Sequence, residues 1–411
     1  MSNNFRNILS NWLSLTILQG GNYIVPLVLT PYLIITLGIE AFGILSFAMA
    51  LNVFFITLVS YGFDLTGTKM IAEVSNDKSK VSVIFQDIFY SKLLIALFSF
   101  VILLGLISVV SQFNEQKYLI LAYFSLVVAD VFFPVWLYQG MQRMKAITFL
   151  KLSGRFVYVA LTIYLVKSSE DLLYLPLIEG GVAIFVALVA FIWGIKGFSL
   201  QLKLSTFKRI ICILKNSWHV FISNVAVLFY TRFNIILLGL ITSPTSVGHY
   251  AVAEKIYMAV RSMFNPIIQA IFPYLSKIKQ KDKNKYDDIV KVSFVFVLTV
   301  LSILSILLYS FGDYILYFLL KSNDQYVQSV LSVFSVCLVF AVGGFLSTIL
   351  IIEDKGKVLS KITFCTVMVN LIIVYPLVVN YQALGLAICF LIVQASHFIM
   401  QLIANRGIFQ K

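Results

Sequence analysis

Four charged side chains lie inside two consecutive apolar stretches of the second half of the chain: Arg232, Glu254, Lys255 and Arg261. Arg232 lies within residues 218–241, and the other three lie within residues 247–272. A helix crosses a bilayer with about 20 residues, so each stretch is long enough for a membrane span. A charge at the centre of such a helix costs about 2.5–3.5 kcal/mol on insertion scales and therefore indicates a polar cavity between helices.

The cationic members of this set are typical of a site that binds an anion such as phosphate. Arg232, Arg261 and Lys255 supply positive charge, and Asn224 lies eight residues before Arg232 on the same face of the predicted helix. Arginine binds a phosphate through parallel hydrogen bonds, whereas lysine acts as a point charge. We therefore expect these four residues to face a cavity and to hold an anionic group of a substrate.

Five charged residues in or beside predicted spans are candidates for ion pairs or for coupling transport to an ion gradient: Glu254, Glu179, Lys92, Asp130 and Asp64. Lys92 and Asp130 lie in consecutive predicted spans, so an ion pair between them is the simplest interpretation. Glu179 or Glu254 is the alternative partner of Arg232, which would make that arginine structural. Charged groups inside a membrane commonly pair with one another, so both interpretations of Arg232 stay open at this point.

The sequence lacks the residue patterns that many enzymes and metal sites require. The four cysteines include no C-x-x-C pair, and neither a D-x-D pair nor a P-loop is present. We therefore predict no metal, no cofactor, no enzymatic activity and no ATP hydrolysis, so that transport depends on an ion gradient or on consumption of the product. His219, His249 and His397 could relay protons, although hydrogen bonds between helices are the alternative interpretation.

The composition indicates that membrane-spanning helices position these residues. The 411 residues are 60% hydrophobic and only 12% charged, with a mean hydropathy of +0.95, whereas soluble proteins have about 25% charged residues. The net charge of +13 lies in short loops, which is a feature of membrane topology and does not indicate nucleic-acid binding. The sequence therefore predicts an all-α integral membrane protein with many spans.

Twelve apolar runs are long enough to cross the membrane, and the charges of the loops support that number. With a cytoplasmic N-terminus, 23 of the 31 Lys and Arg residues fall in predicted cytoplasmic segments and three fall in the opposite loops. A missed span would reverse this bias in every later loop, so we predict that both termini are cytoplasmic. The predicted spans are 12–37, 42–62, 83–110, 118–140, 149–167, 172–194, 217–241, 247–272, 291–311, 326–352, 362–380 and 383–404.

The chain divides at the predicted cytoplasmic loop 195–216 into two halves with six predicted spans each, which we expect to form the bundles 1–205 and 206–411. Residues 41–48 align with residues 246–253 at an offset of 205 residues. Internal repeats of this kind are a common plan of transporters and place the substrate at the interface of the halves.

Several motifs resemble those of Wzx-type O-antigen flippases. In the first half they are 22–27, 31–33, 37–43, 61–65, 68–72 and 134–140, and in the second half they are 247–250, 253–256 and Pro273. The resemblance covers most of residues 1–290. Thr36 and Thr231 stand where the family often has an arginine and an acidic residue, so one cation of the family pattern is missing from the first half.

The resemblance implies membership of the multidrug/oligosaccharidyl-lipid/polysaccharide exporter superfamily, with twelve transmembrane helices in two six-helix bundles around a central cavity. It implies that the protein flips an undecaprenyl-diphosphate-linked oligosaccharide from the cytoplasmic to the periplasmic leaflet of the bacterial inner membrane by alternating access. The expected partners are this substrate, membrane lipids, and the polysaccharide polymerase and chain-length regulator, without nucleic acid. A diphosphate is an anion that arginines in a cavity would bind.

Two alternatives remain, a cation-coupled multidrug exporter of the same superfamily and an integral membrane polysaccharide polymerase. Drug exporters often bind cations through buried carboxylates, whereas the charges in the spans of the second half favour an anion. The polymerases resemble chains with a large periplasmic loop, and the longest predicted external loop here is only 312–325.

Overall fold

A computed structural model of the chain describes residues 2–264, 271, 275–276, 278–279, 282–321 and 324–409, without the side chains of 2–27 and Tyr230. Throughout these ranges the chain consists of helices joined by turns and by an extended segment at 200–206, with a 3-10 turn at Ser169–Leu173. The helices are α1 (Ser2–Ser60), α2 (Phe63–Glu73), α3 (Lys78–Val109), α4 (Ser111–Glu115), α5 (Lys117–Phe132), α6 (Val135–Gly140), α7 (Met144–Leu165), α8 (Tyr174–Phe198), α9 (Phe207–Thr231), α10 (Phe233–Ile241), α11 (Pro244–Ser262), α12 (Lys283–Leu320), α13 (Gln325–Phe340), α14 (Gly343–Ile352) and α15 (Gly356–Phe409).

Within the described ranges, nine helical segments are long and apolar enough to cross a membrane. Two of them, Val28–Glu73 and Gly356–Phe409, each overlap two predicted spans. The chain leaves helical geometry inside α1 at Gly38, with φ 82°, and inside α15 at Gln382, with φ 50°. The protein is therefore an all-helical membrane protein with several spans, and the number twelve stays a prediction.

The structure divides the chain into two compact units, Met1–Ile236 and Leu237–Lys411. α9 packs against α1, α2 and α3, and its Ile213 lies in a core that also contains Trp136. The first unit therefore includes α9, although α9 comes after the boundary at 205/206 that the loop charges predict. The arrangement of the spans as two bundles of six stays a prediction.

The two units have related cores near the start of α3 and of α12. In the first unit this core contains Ile71, Val81, Phe85 and Trp136. In the second unit it contains Leu275, Tyr286, Val290 and Phe345. Val81 and Tyr286, like Phe85 and Val290, are 205 residues apart, which is the offset that aligns 41–48 with 246–253. The packing therefore agrees with an internal repeat.

The motif 134–140 packs against the helix that carries the motif 68–72. α6 contacts α2, and a Cβ added at Gly140 would lie 2.6 Å from Ile71 Cβ and 3.0 Å from the Thr68 carbonyl oxygen. The Thr68 hydroxyl donates a hydrogen bond to Gln139 Oε1 at 3.1 Å. These two motifs therefore form one helix–helix contact, in which the glycine allows the backbones to approach closely.

Gly140→Ala is expected to lower the unfolding temperature, because its Cβ would overlap with the Ile71 side chain. Overpacking of this kind costs about 1–3 kcal/mol. Gly105→Ala is the matched control, since no atom lies within 4 Å of a Cβ at Gly105, and alanine favours an exposed helix position by about 1 kcal/mol. The midpoint of thermal unfolding of each purified variant, measured in the same detergent, gives the difference. Equal midpoints for the two variants would show that Gly140 does not pack closely against Ile71.

Candidate functional site

Arg232 lies at a break between two helices. The predicted span 217–241 is one apolar run, but α9 begins ten residues earlier, at Phe207, and ends at Thr231, and α10 begins at Phe233. Arg232 is the single residue between them and is half-buried. Arg232 keeps dihedral angles of the right-handed helical region, its N–H donates to the Leu228 carbonyl oxygen, and its own carbonyl oxygen accepts from Ile236 N–H. The break is therefore a local irregularity in the predicted span, and a change of one residue leaves the mean hydropathy of the run almost unchanged.

Asn224 lies in α9, two turns before Arg232, and is also half-buried. Both residues belong to the first unit. The C-terminal end of α9 and the N-terminal end of α10 meet at Arg232 and carry partial charges of opposite sign, so the helix ends by themselves do not favour an anion there.

Arg261 lies in the last turn of α11, at the edge of an aromatic core. Its guanidinium carbon is 5.9 Å from the centre of the Tyr257 ring. Tyr257 is fully buried, and its ring centre lies 5.2 Å from that of Phe334 and 5.6 Å from that of Phe390. A cation over a tyrosine ring gains about 0.5–2 kcal/mol, so this contact orients the half-buried arginine.

Glu254 and Lys255 lie on the same helix as Arg261, and Glu254 is buried whereas Lys255 is half-buried. These three residues belong to the second unit, and Arg232 and Asn224 belong to the first. The grouping of the cationic residues around one cavity therefore stays a prediction.

Lys92 and Asp130 form an ion pair inside the first unit. Lys92 Nζ lies 2.8 Å from Asp130 Oδ2 and also donates to the Asp130 carbonyl oxygen at 2.5 Å. Asp130 Oδ2 also accepts a hydrogen bond from the Ser60 hydroxyl, at the end of α1, at 3.0 Å. Lys92 is only 1% exposed, so its charge depends on these oxygen atoms. The sequence contained no signal for Ser60, because its contact with Asp130 depends on the packing of α1 against α5.

Two further charged residues extend this ion pair into a cluster. Asp64, at the start of α2, lies in electrostatic range of Lys92, Asp130 and Lys151. Lys151 lies on α7, with its ammonium 4.9 Å from the centre of the Phe133 ring. Lys151 falls in a predicted cytoplasmic segment, where the positive-inside bias is enough to account for a lysine. The sequence therefore provided no reason to include Lys151 among the candidate site residues. Two acids and two lysines balance each other, and a role of this cluster in ion coupling stays a prediction.

Glu179, on α8, lies in electrostatic range of Arg155 on α7. Tyr158 and the buried Tyr123 are close to the same carboxylate. The sequence suggested Arg232 as a partner of Glu179 and placed Arg155 near the membrane interface. The packing of α7 against α8 provides Arg155 as a neighbour of Glu179, and the pairing of Arg232 with Glu179 stays a prediction.

Two of the three histidines join separate parts of the second unit. His397 Nδ1 lies 2.9 Å from Thr366 Oγ1, and its Nε2 lies 2.8 Å from Gln401 Nε2. His249 Nε2 lies 3.2 Å from Asp324 Oδ2, in the turn before α13. The contacts of His397 have the geometry of hydrogen-bonded polar residues, whereas His249 lies beside an acid and fits both interpretations that the sequence left open.

Comparison with known proteins gives matches along nearly the whole chain. Residues 8–279 match a family model described as polysaccharide biosynthesis protein. A protein of Escherichia coli strain K12 whose description names O-antigen transport is 28% identical over 396 residues, covering 95% of both chains. A protein of Shigella dysenteriae with the same description is 28% identical over 400 residues, covering 93% of this chain and 96% of the relative. The resemblance found in the sequence motifs is confirmed.

Two solved structures share the fold at low sequence identity. The lipid II flippase MurJ in an inward closed conformation has a TM-score of 0.69 at 15% identity, with 97% of this chain and 87% of that chain covered. An inward-facing multidrug resistance transporter of the MATE family and the MOP superfamily has a TM-score of 0.62 at 16% identity, with 94% and 98% covered. All four proteins are named as transporters, flippases or multidrug transporters and not as enzymes, in agreement with the sequence prediction.

Proposed function

The chain belongs to the polysaccharide biosynthesis protein family, and from this membership we propose that it flips undecaprenyl-diphosphate-linked repeat units of O-antigen or a related polysaccharide. The movement is from the cytoplasmic to the periplasmic leaflet of the bacterial inner membrane. Both relatives with descriptions of O-antigen transport match at least 93% of this chain. The fold shared with a flippase and a multidrug transporter supports an alternating-access mechanism.

The observation that carries this proposal is the position of Arg232 at the break between α9 and α10. A diphosphate bears negative charge on several acceptor oxygen atoms, which a guanidinium binds through charge-assisted hydrogen bonds. Arg261, Lys255 and Asn224 would contribute further charge and hydrogen bonds to the same headgroup. Contacts between these side chains and the negatively charged diphosphate would stabilise the loaded state.

Deletion of the gene in the source bacterium tests the proposal. We expect lipid-linked repeat units to accumulate inside the cell and surface polysaccharide to disappear, with both effects reversed by the intact gene. A multidrug exporter predicts unchanged lipid-linked sugar and increased sensitivity to cationic drugs. A polymerase predicts that single repeat units still reach the cell surface, so the three functions give different results.

The charge bias of the loops makes the topology a further prediction. Reporter fusions after Lys151, Lys203 and Lys283 are expected to report the cytoplasm, and fusions after Ser243 and Asn323 the periplasm. A periplasmic signal at Lys203 would contradict both the cytoplasmic termini and the division of the spans into two groups of six.

A flippase that supplies repeat units also implies protein partners. The polymerase and the chain-length regulator use the same lipid-linked repeat unit at the periplasmic face, so they are the proteins that we propose to lie near this one. Energy from an ion gradient or from consumption of the product would drive net movement, and specific ATP binding by the purified protein would contradict that part of the proposal.

A further inference from the structure

The segment between α8 and α9, residues 199–206, is attached to α3 along its length. Three hydrogen bonds join the two: Gln201 N–H to Ser82 Oγ at 3.2 Å, Lys203 N–H to Gln86 Oε1 at 3.0 Å, and Ser205 Oγ to Asp87 Oδ1. The donors are every second residue, which is the spacing of an extended chain with one side against a surface. The segment is therefore held in one register on the first unit.

Arg209, in the first turn of α9, completes this attachment. Its Nε and Nη2 donate to Asp87 Oδ2 at 3.0 and 2.9 Å, and Nη2 also donates to the Val83 carbonyl oxygen at 3.3 Å. Asp87 is only 6% exposed, so its carboxylate depends on these charge-assisted bonds, whereas the Arg209 side chain stays partly exposed. The start of α9 and the segment before it therefore have a fixed position.

The residues between the hydrogen-bonded positions are apolar and exposed. Leu202 is 40% exposed and Leu204 is 85% exposed, and the exposure continues at Phe207 with 69% and at Ile211 with 38%. The segment follows the candidate membrane span Ser169–Phe198 and precedes the candidate span Phe207–Phe229. It therefore lies at the membrane surface, where exposed leucine and phenylalanine side chains contact lipid instead of bulk water.

Lysines alternate with these apolar side chains. Lys203 lies in the segment and Lys208 and Lys215 lie on α9, and all three are exposed. They belong to residues 195–216, which the loop charges predict to be cytoplasmic. The cytoplasmic leaflet carries anionic lipids, which attract basic residues close to the surface. Apolar side chains combined with lysines are typical of protein surfaces that bind such a leaflet.

We propose that Lys203, Lys208 and Lys215, together with Leu204 and Phe207, form a basic patch that binds headgroups of anionic phospholipids in the cytoplasmic leaflet. The lysines contact phosphate groups, and the two apolar side chains insert at the boundary of the acyl chains. Attachment to α3 orders the segment in advance, so lipid binding does not have to restrict its backbone. This lipid site is separate from substrate transport and does not depend on the function proposed above.

Energy transfer in nanodiscs tests the lipid site with the full-length protein. A donor fluorophore on Cys212, which is exposed and lies on α9 between Lys208 and Lys215, reports headgroup-labelled phosphatidylglycerol or phosphatidylcholine nearby. Cys365→Ser removes the other exposed cysteine, and Cys337 and Cys389 are buried. We expect phosphatidylglycerol to be enriched near the donor by roughly threefold over phosphatidylcholine, and the enrichment to decrease at high salt.

The charge-removal variant Lys203→Gln, Lys208→Gln, Lys215→Gln is expected to abolish this enrichment while the protein remains folded, since all three side chains are exposed. The matched control replaces Lys355, Lys357 and Lys361 by glutamine in another predicted cytoplasmic loop and is expected to retain it. Equal transfer to both lipids in the unchanged protein would overturn the proposal. Full enrichment in the first variant, or equal loss in the control, would also overturn it.

Discussion

Replacing Arg232 or Arg261 by alanine is expected to abolish surface polysaccharide while the protein still inserts into the membrane. Each substitution removes a guanidinium that we propose to bind the diphosphate of the lipid-linked substrate. Lysine at either position is expected to retain part of the activity, because it keeps the charge and loses the parallel hydrogen bonds. The measurement is the intensity of the polysaccharide ladder relative to the amount of protein in the membrane.

A structural role for these arginines predicts a different result. The alanine variants would then be degraded, and neutralising Glu179 or Glu254 as well would restore the protein. Arg261→Ala also loses its contact with the Tyr257 ring, worth about 0.5–2 kcal/mol, so the amount of protein must be measured for each variant. Stable and fully active alanine variants would remove both residues from the substrate site.

Lys92→Met is expected to reduce the amount of folded protein severely. It leaves the Asp130 carboxylate without the ammonium that now lies 2.8 Å away. Breaking a buried ion pair by removing one partner costs about 3–5 kcal/mol, a large part of the total stability of about 5–15 kcal/mol that folded proteins have. Membrane abundance and the thermal midpoint of the purified protein measure the loss.

The matched variants separate loss of the charge balance from loss of lysine itself. Lys92→Met combined with Asp130→Asn is expected to recover most of the stability, because no unpaired charge remains and the Ser60 hydroxyl still has a partner. Lys167→Met, outside the charged cluster, is expected to have little effect, because Lys167 is exposed. Normal amounts of Lys92→Met alone would show that the ion pair is not required.

Hydropathy and loop charge were sufficient to predict the helical membrane class, because each long apolar run must be helical in a bilayer. They were not sufficient for the start of α9. Lys208 and Arg209 lower the hydropathy of its first turn, so the sequence assigned residues 207–216 to a loop, whereas α9 begins at Phe207. The helix tolerates Arg209 there because Asp87, 122 residues earlier, binds its guanidinium.

The sequence was also insufficient to identify the neighbours of most charged side chains. Lys92 and Asp130 could be connected from the sequence because they lie in consecutive spans, which are commonly neighbours. Lys151 and Arg155 could not be connected with Asp64 and Glu179, because these contacts depend on which helix faces pack together. Arg232 was recognised from its place in an apolar run, but the helix break that holds it does not change the composition of that run.

Direct flipping of the lipid-linked substrate tests the proposed function most clearly. The purified protein is reconstituted in liposomes that contain an undecaprenyl-diphosphate-linked oligosaccharide with a fluorophore on the sugar, with and without an imposed ion gradient. A membrane-impermeant quencher added outside removes the outer-leaflet signal and then follows the arrival of sugar from the inner leaflet. We predict that the unchanged protein makes the inner-leaflet pool accessible and that Arg232→Ala behaves like protein-free liposomes. An inner-leaflet pool that stays protected with the unchanged protein under every gradient, while the same liposomes transport a cationic drug, would contradict the proposed function.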